Sequence, residues 1–375
     1  FQNGRNNQHF QFCRFFQDKS MALIPVTIIT GFLGSGKTTV LKRVLTESHG
    51  QKIAVIENEF GEENIDSDIL VSDTTENIIQ MSNGCICCTI RDDLRVTLLD
   101  LAQKKRKGEI KFDRVVIETT GLADPGPVAQ TFFMDEEVAE QFLLDSILTL
   151  VDAKHAQTQL TDRLEARRQI GFADQIFISK ADLVSQEEVE ALKHRIHHMN
   201  PRAPQKVVNF GNVAIADVFD LRGFNLNAKL EFEPDFLKDE DDHHHHDTGP
   251  VDPDKLGPFF GAHKDPDAKH SHHHVHDDDV KSFVYKTDKA FDAAKLEDFL
   301  SAIVNIYGPR MFRYKGVLNM KGTDRKVIFQ GVHQLMGSDL GPMWAKDEKR
   351  TSKMVFIGIN LPKDIFLQGM EQCIA

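Results

Sequence analysis

The chain has 375 residues, enough for two or three domains with cores of their own, and its 41% hydrophobic and 27% charged residues are those of a soluble globular protein. No apolar run approaches the ~20 residues that cross a bilayer, so a membrane is excluded as a partner. The formal net charge of −12 argues against nucleic acid, but twelve acids against three lysines between Asp239 and Asp279 account for −9 of it, so the rest of the chain does not repel an anionic ligand such as a nucleotide.

Residues 1–21 are rich in Gln, Asn and Phe and lack the small-residue cleavage site of a secretory signal. The character changes at Met21, the expected natural start, so the residues before it read as an upstream disordered extension; a cleaved organelle-targeting piece is the other reading. A β-branched run at 24–30 then leads into a Gly-rich loop, and Val40, Leu41, Val44 and Leu45 mark a helix. Short apolar runs at 53–57, 114–118, 147–152 and 175–180 read as further strands, and a sixth is expected near 207–209. Buried strands alternating with helices predict an α/β unit over 22–225, a parallel sheet with helices on both faces. Residues 226–280 read as a His/Asp-rich linker, with ten of the seventeen histidines between 239 and 279. The stretch 281–375 reads as a small α+β domain. Its expected strands are 282–286, 312–320, 327–335 and 354–361, with helices around Leu296–Ile303 and after Pro362.

The segment Gly31-Phe32-Leu33-Gly34-Ser35-Gly36-Lys37-Thr38 matches G-x-x-x-x-G-K-[ST] between a strand and a helix, the context this motif needs. Its glycines let backbone N–H groups close on phosphate oxygens, and the helix N-terminus adds positive potential. Lys37 is placed to reach the β- and γ-phosphates and Thr38 to ligate Mg²⁺. A chance Gly-rich turn would not explain the flanking elements. Glu118 closes the strand Val115-Val116-Ile117 and precedes Thr119-Thr120-Gly121. An acid there holds Mg²⁺ or its water shell, and the Gly121 N–H suits a γ-phosphate; an ordinary strand-end acid is the plain alternative. Ser179-Lys180-Ala181-Asp182 stands where guanine-specific NTPases carry N/T-K-x-D. A carboxylate at Asp182 accepts from the guanine N1–H and amine, a donor pair adenine lacks, while the Lys180 stem packs on the base. Serine in the first place departs from that pattern, and a capped loop is the alternative.

Gly84-Cys85-Ile86-Cys87-Cys88 offers three thiolates within four residues, soft ligands that suit Zn²⁺ or Cu⁺. Three ligands with a fourth position open fit a site that must release its ion; redox sensing or burial of small thiols are the alternatives. One tight cluster, with only Cys13 and Cys373 besides, reads as a cytosolic metal or redox site and not a disulfide framework. Between the P-loop and this cluster, Glu57-Asn58-Glu59-Phe60-Gly61-Glu62 lies where P-loop GTPases place a nucleotide-sensing switch, or is a solvated loop. The linker histidines His243, His244, His245, His246, His272, His273 and His274 offer imidazoles to Zn²⁺, Ni²⁺ or Co²⁺, or are a low-complexity spacer.

Taken in this order, the segments 31–39, 57–62, 84–88, 118–125 and 179–182 resemble the CobW-like metallochaperone GTPases, and within them the YjiA-like subgroup. The resemblance runs from about Ala22 to the C-terminus, where Arg313-Tyr314-Lys315-Gly316 and 354–361 look like the CobW C-terminal domain. It implies a GTPase that binds GTP or GDP with Mg²⁺. It also implies that the chain carries zinc, or another transition metal such as cobalt, on Cys85, Cys87 and Cys88, and transfers it to a client metalloprotein. In the family pattern Thr39 closes the P-loop, and Glu57 and Glu62 are switch acids and secondary metal ligands. A homo-oligomer is compatible with this reading. The rivals are a metal-buffering protein with incidental GTPase activity, a cobalt- or cobalamin-related GTPase of the same family, and a P-loop kinase or ATPase acting on a small substrate.

Overall fold

The computed structural model describes residues 23–47, 50–57, 79–82, 90–224 and 279–375. The first strand, β1 (Ile24–Gly31), has no polar face because both of its sides are covered. Val26 and Ile28 pack to one side of the sheet and Ile29 to the other, all with no exposed surface. The same pattern builds β2 (Ile53–Glu57), β4 (Arg114–Glu118), β5 (Phe142–Asp152) and β6 (Gln175–Ser179). With the shorter β3 (Ile79–Ser82) and β7 (Gln205–Val208), these strands form one parallel sheet in the order β3-β2-β4-β1-β5-β6-β7. Helix α1 (Lys37–Thr46) packs on one face through Val40, Leu41 and Val44. On the other face lie α2 (Ile90–Lys107), α3 (Pro125–Met134), α6 (Leu164–Phe172) and α7 (Gln186–Met199). The short helices α4 (Glu136–Ala139) and α5 (Ala156–Asp162) complete this unit. No described helix is long and apolar enough to cross a membrane.

The sequence pattern anticipated this α/β sheet but not its full width. β3 is an added edge strand, and β5 starts at Phe142, five residues before the run at 147–152. The expected extension 1–21, and the expected linker 226–280 up to residue 278, lie outside the described residues.

A second sheet, antiparallel, takes the order β11-β10-β9-β12-β8. It comprises β8 (Val280–Thr287), β9 (Met311–Leu318), β10 (Arg325–Val332), β11 (Leu335–Met343) and β12 (Ser352–Ile359). The single strand expected at 327–335 is in fact a hairpin. His333 has φ 52°, and Val332 pairs with Leu335 across the turn. β11 escaped the sequence reading because it carries Gly337, Asp339, Gly341 and Pro342; as the edge strand it tolerates a residue that cannot donate to a ladder. Helices α8 (Ala293–Tyr307) and α9 (Lys363–Gln372) cover one face through Leu296, Leu300, Ile303, Phe366 and Met370.

The other face packs on the first unit. Val280, Phe312, Val332, Val355 and Ile357 share a core with Ile170, Phe172, Ile196 and Met199. Phe172 stacks on Phe312 with ring centroids 5.0 Å apart. Within this apolar contact sits a buried charge cluster. Asp174, just before β6, accepts from Arg313 (3.0 and 3.2 Å), from Lys315 (2.7 Å) and from the Ile147 N–H (3.0 Å). The Arg313 guanidinium also lies 3.7 Å from the Phe224 ring centroid. Burial alone would raise the Asp174 carboxyl, but the two cations and the hydrogen bonds outweigh it and hold it at about 2.

A folded-state value below that of the unfolded chain gives stability that is complete above about pH 4 and is lost as pH falls toward 2. Asp174→Ala strands the buried Arg313 and the part-buried Lys315 and is expected to cost about 3–5 kcal/mol. Urea unfolding between pH 7 and pH 2 should show the loss at neutral pH and a flatter acid limb in the variant.

Candidate functional site

The loop after β1 occupies the carboxyl edge of the parallel sheet, where such folds bind ligands. Gly36 caps α1 with φ 95°, and the α1 amides open toward the loop. The Lys37 side chain folds back along that loop, its Nζ donating to the carbonyls of Gly31 (3.0 Å) and Phe32 (3.3 Å). Burial lowers the Lys37 pKa, and the Glu118 carboxylate acts in the opposite sense. Ser35 is fully buried, and its N–H donates to the Phe32 carbonyl (3.2 Å), which tightens the loop.

Two acids meet beside it. Glu57 and Glu118 are register partners on the parallel strands β2 and β4, so their side chains leave the same face as neighbours. Thr38 Oγ1 donates to Glu118 Oε1 at 2.7 Å. One strand further out, Ser82 pairs with Glu57, so the end of β3 stands next to the acids. Hydroxyl and carboxylate oxygens of this kind match the needs of Mg²⁺, a hard cation with oxygen ligands. The turn after Glu118 is held from both sides. Thr119 Oγ1 donates to Thr30 Oγ1 (2.8 Å), and a Cβ on Gly121 would come within 2.6 Å of the Leu33 nitrogen.

Across β1, the end of β6 carries Ser179, Lys180 and Asp182. Lys180 has φ 56° and Asp182 is exposed. Lys180 Nζ lies 2.7 Å from Asp152 Oδ2 at the end of β5. Burial opposes ionisation of Asp152, yet hydrogen bonds from Lys180 and His155 prevail and lower its pKa. Ser179 Oγ donates to the Ser35 carbonyl (2.7 Å), with the Val151 carbonyl at 3.3 Å. Serine in place of the expected Asn or Thr therefore still ties the segment 179–182 to the P-loop.

These features can be set beside known proteins. Residues 25–206 match the description CobW/HypB/UreG, nucleotide-binding domain, and residues 280–374 match the Cobalamin synthesis protein cobW C-terminal domain. A curated relative, the zinc chaperone YjiA of Escherichia coli (strain K12), is 39% identical over 342 residues, which is 91% of this chain and 96% of that protein. The chain belongs to the CobW/HypB/UreG family. It is a P-loop GTPase with the two-part organisation of its CobW members. The zinc-regulated GTPase metalloprotein activator 1 of Dictyostelium discoideum is 30% identical over 80% of this chain and 62% of its own length. The crystal structure of Zn(II)-bound YjiA GTPase from E. coli superposes with a TM-score of 0.71 at 34% identity, covering 95% of this chain and all of that one.

In this CobW-family chain, Gly31, Gly34, Ser35, Gly36, Lys37, Thr38, Thr39, Glu57, Glu118 and Gly121 come together around the P-loop, with Ser179, Lys180 and Asp182 one strand pair away. Glu62, Cys85, Cys87, Cys88, His243–His246 and His272–His274 lie outside the described residues. No cluster of three potential metal-binding side chains occurs among those described.

Sequence reasoning missed the supports of the Glu118 turn. Gln169 on α6 is 1% exposed and donates from Nε2 to the carbonyls of Gly121 (3.1 Å) and Ala123 (3.0 Å). Beside it, Arg168 holds Asp124 (3.0 Å), which caps α3 by accepting from the Gly126 N–H. A glutamine amid the apolar positions of α6 was the one available sign. Gln169→Ala leaves two inward carbonyls without that donor and is expected to lose about 1–3 kcal/mol of stability. Its kcat should fall while GDP affinity changes little, read by steady-state phosphate release beside GDP titration.

Proposed function

We propose that this GTPase is a metallochaperone: it carries zinc on Cys85, Cys87 and Cys88, hydrolyses GTP to GDP and phosphate, and passes the ion to a client metalloprotein in the cytoplasm. The observation that carries this reading is the run of register partners Ser82, Glu57 and Glu118 across β3, β2 and β4. The strand that leads within three residues to Cys85 is thereby the neighbour of the strand that ends in Glu57, the first of the switch acids. The names of the relatives, a zinc chaperone and a zinc-regulated activator, support zinc as the cargo.

In this mechanism the backbone amides of Gly34, Ser35, Gly36 and Thr39 cradle the phosphates, and Lys37 leaves the loop carbonyls to meet the β- and γ-phosphates. Thr38 and Glu118 hold Mg²⁺, which when bound neutralises charge that develops on the phosphate oxygens. The Gly121 N–H faces the γ-phosphate, so its loss on hydrolysis loosens the turn after β4. Asp182 selects guanine, with Lys180 packing on the base and Ser179 fixing the segment. Glu57 and Glu62 report the nucleotide state to the thiolates.

Two tests follow. GTP should bind at least ~10-fold better than ATP in competition, and Asp182→Ala should erase the difference; equal binding by the wild type removes the guanine assignment. Lys37→Ala should fold but release no phosphate, and persistent turnover would place catalysis elsewhere. The courier reading itself is tested by linkage. The tightest zinc, lost in Cys87→Ser, should differ at least ~5-fold in affinity between a non-hydrolysable GTP analogue and GDP. Equal affinities would leave a GTPase with an uncoupled metal site. The ten histidines between 239 and 279 favour metal buffering as a second reading. Several weak ions per chain, with no tight thiolate-bound one, would be its mark.

A further inference from the structure

Phe210 is the most exposed large apolar side chain among the described residues, at 88%. It occupies the turn Asn209-Phe210-Gly211-Asn212, closed by the Asn212 N–H donating to the Asn209 carbonyl (3.0 Å). Phe210 has φ 52° and Gly211 φ 72°. Positive φ at both central residues is the type I′ pattern, which favours Asn, Asp or Gly. A bulky ring there strains the backbone, and burial returns almost nothing for it.

The turn is firmly seated. Gly211 lies so close to the first turn of α1 that a Cβ would come within 2.9 Å of the Thr39 carbonyl oxygen. Val208 and Val213, on either side, pack with Val40 and Leu41 of α1. Val208 is the register partner of Ser179, so the turn leaves the sheet beside Lys180 and Asp182. Phe210 is therefore carried at the carboxyl edge of the sheet, next to the P-loop helix on one side and the base-reading segment on the other. A nucleotide with its phosphates in the P-loop and its base edge at Asp182 must lay its base in this region.

We propose that Phe210 is a base-stacking residue of the nucleotide site, its ring forming one wall against a face of the purine. The assignment rests on the nucleotide site described above and adds a division of labour to it. A π-face is common to all purines, so Phe210 adds affinity without choosing a base, and Asp182 does the choosing. A strained, exposed aromatic is then explained by the ligand it covers.

The test compares GDP with inorganic tripolyphosphate, a ligand that has no base, both with Mg²⁺, by equilibrium titration. Phe210→Ala should weaken GDP roughly 5- to 150-fold, the range for loss of one base–aromatic stack, and leave tripolyphosphate unchanged. Phe210→Trp should keep GDP affinity and show indole quenching with GDP but not with tripolyphosphate. Phe210→Asn, suited to the turn, should unfold at no lower temperature than the wild type while binding GDP as weakly as the alanine variant. Equal loss of ADP and GDP in Phe210→Ala, with no GDP preference in the wild type, would retain the stack and reject the role of Asp182. Unchanged GDP affinity in Phe210→Ala, or an equal loss for tripolyphosphate, would overturn the assignment.

Discussion

β1 meets β5 so closely at its end that a Cβ on Gly31 would lie 2.3 Å from the Leu150 carbonyl oxygen. That contact fixes where the phosphate loop begins, because the chain must turn out of the sheet at a point held by strands on both sides. β4 on one flank brings Glu118 level with Ile29, and β5 on the other brings Leu150 level with Gly31. Thr30–Thr119 and Ser179–Ser35 then fasten the loop to the strand ends around it. The parallel arrangement puts every strand end at the same edge, so a phosphate loop, an acid pair and the segment 179–182, far apart in sequence, converge without long linkers.

Much of this was readable in the amino-acid order, for a physical reason. A strand covered on both faces has no polar register, so β1, β2, β4 and β6 stand out as short apolar runs between turns. Gly31–Thr38 carries its own chemistry in consecutive residues, Glu118 ends a recognisable strand, and Asp182 follows another by three residues. What escaped depends on partners distant in the chain. β3 is four residues long at an edge, and β11 holds Gly and Pro that only its edge position permits. Gln169 looks like any helix glutamine until the carbonyls of Gly121 and Ala123 are placed above it, and Asp174 becomes a junction only once Arg313 and Lys315 reach it from 139 and 141 residues away.

Helix α6 belongs to both sheets. Arg168 and Gln169 grip the turn after Glu118, whereas Ile170, Gly171 and Phe172 pack toward the C-terminal sheet, and the helix then delivers Asp174 to its cation pair. A Cβ on Gly171 would meet Phe312 at 2.5 Å, so the two surfaces fit without slack. His333, at the β10–β11 turn, lies as near to Gly126 of α3, where a Cβ would come within 2.5 Å of its Nε2. The turn that follows Glu118 is thus braced on a helix and capped by a hairpin, both of which continue into the second unit.

The shared core also has a consequence for how the chain is made. The apolar faces of α6 and α7 are complete once Met199 has been synthesised, but the residues that cover them run from Val280 to Ile357. At about 5–20 residues per second the growing chain holds those faces bare for on the order of ten seconds. For most of that interval, once β7 and the residues to Phe219 have followed, the first unit is a complete sheet with an uncovered flank. Nascent protein, more than the mature form, is then the species exposed to aggregation, and the one on which a holding chaperone or early nucleotide binding has most to act.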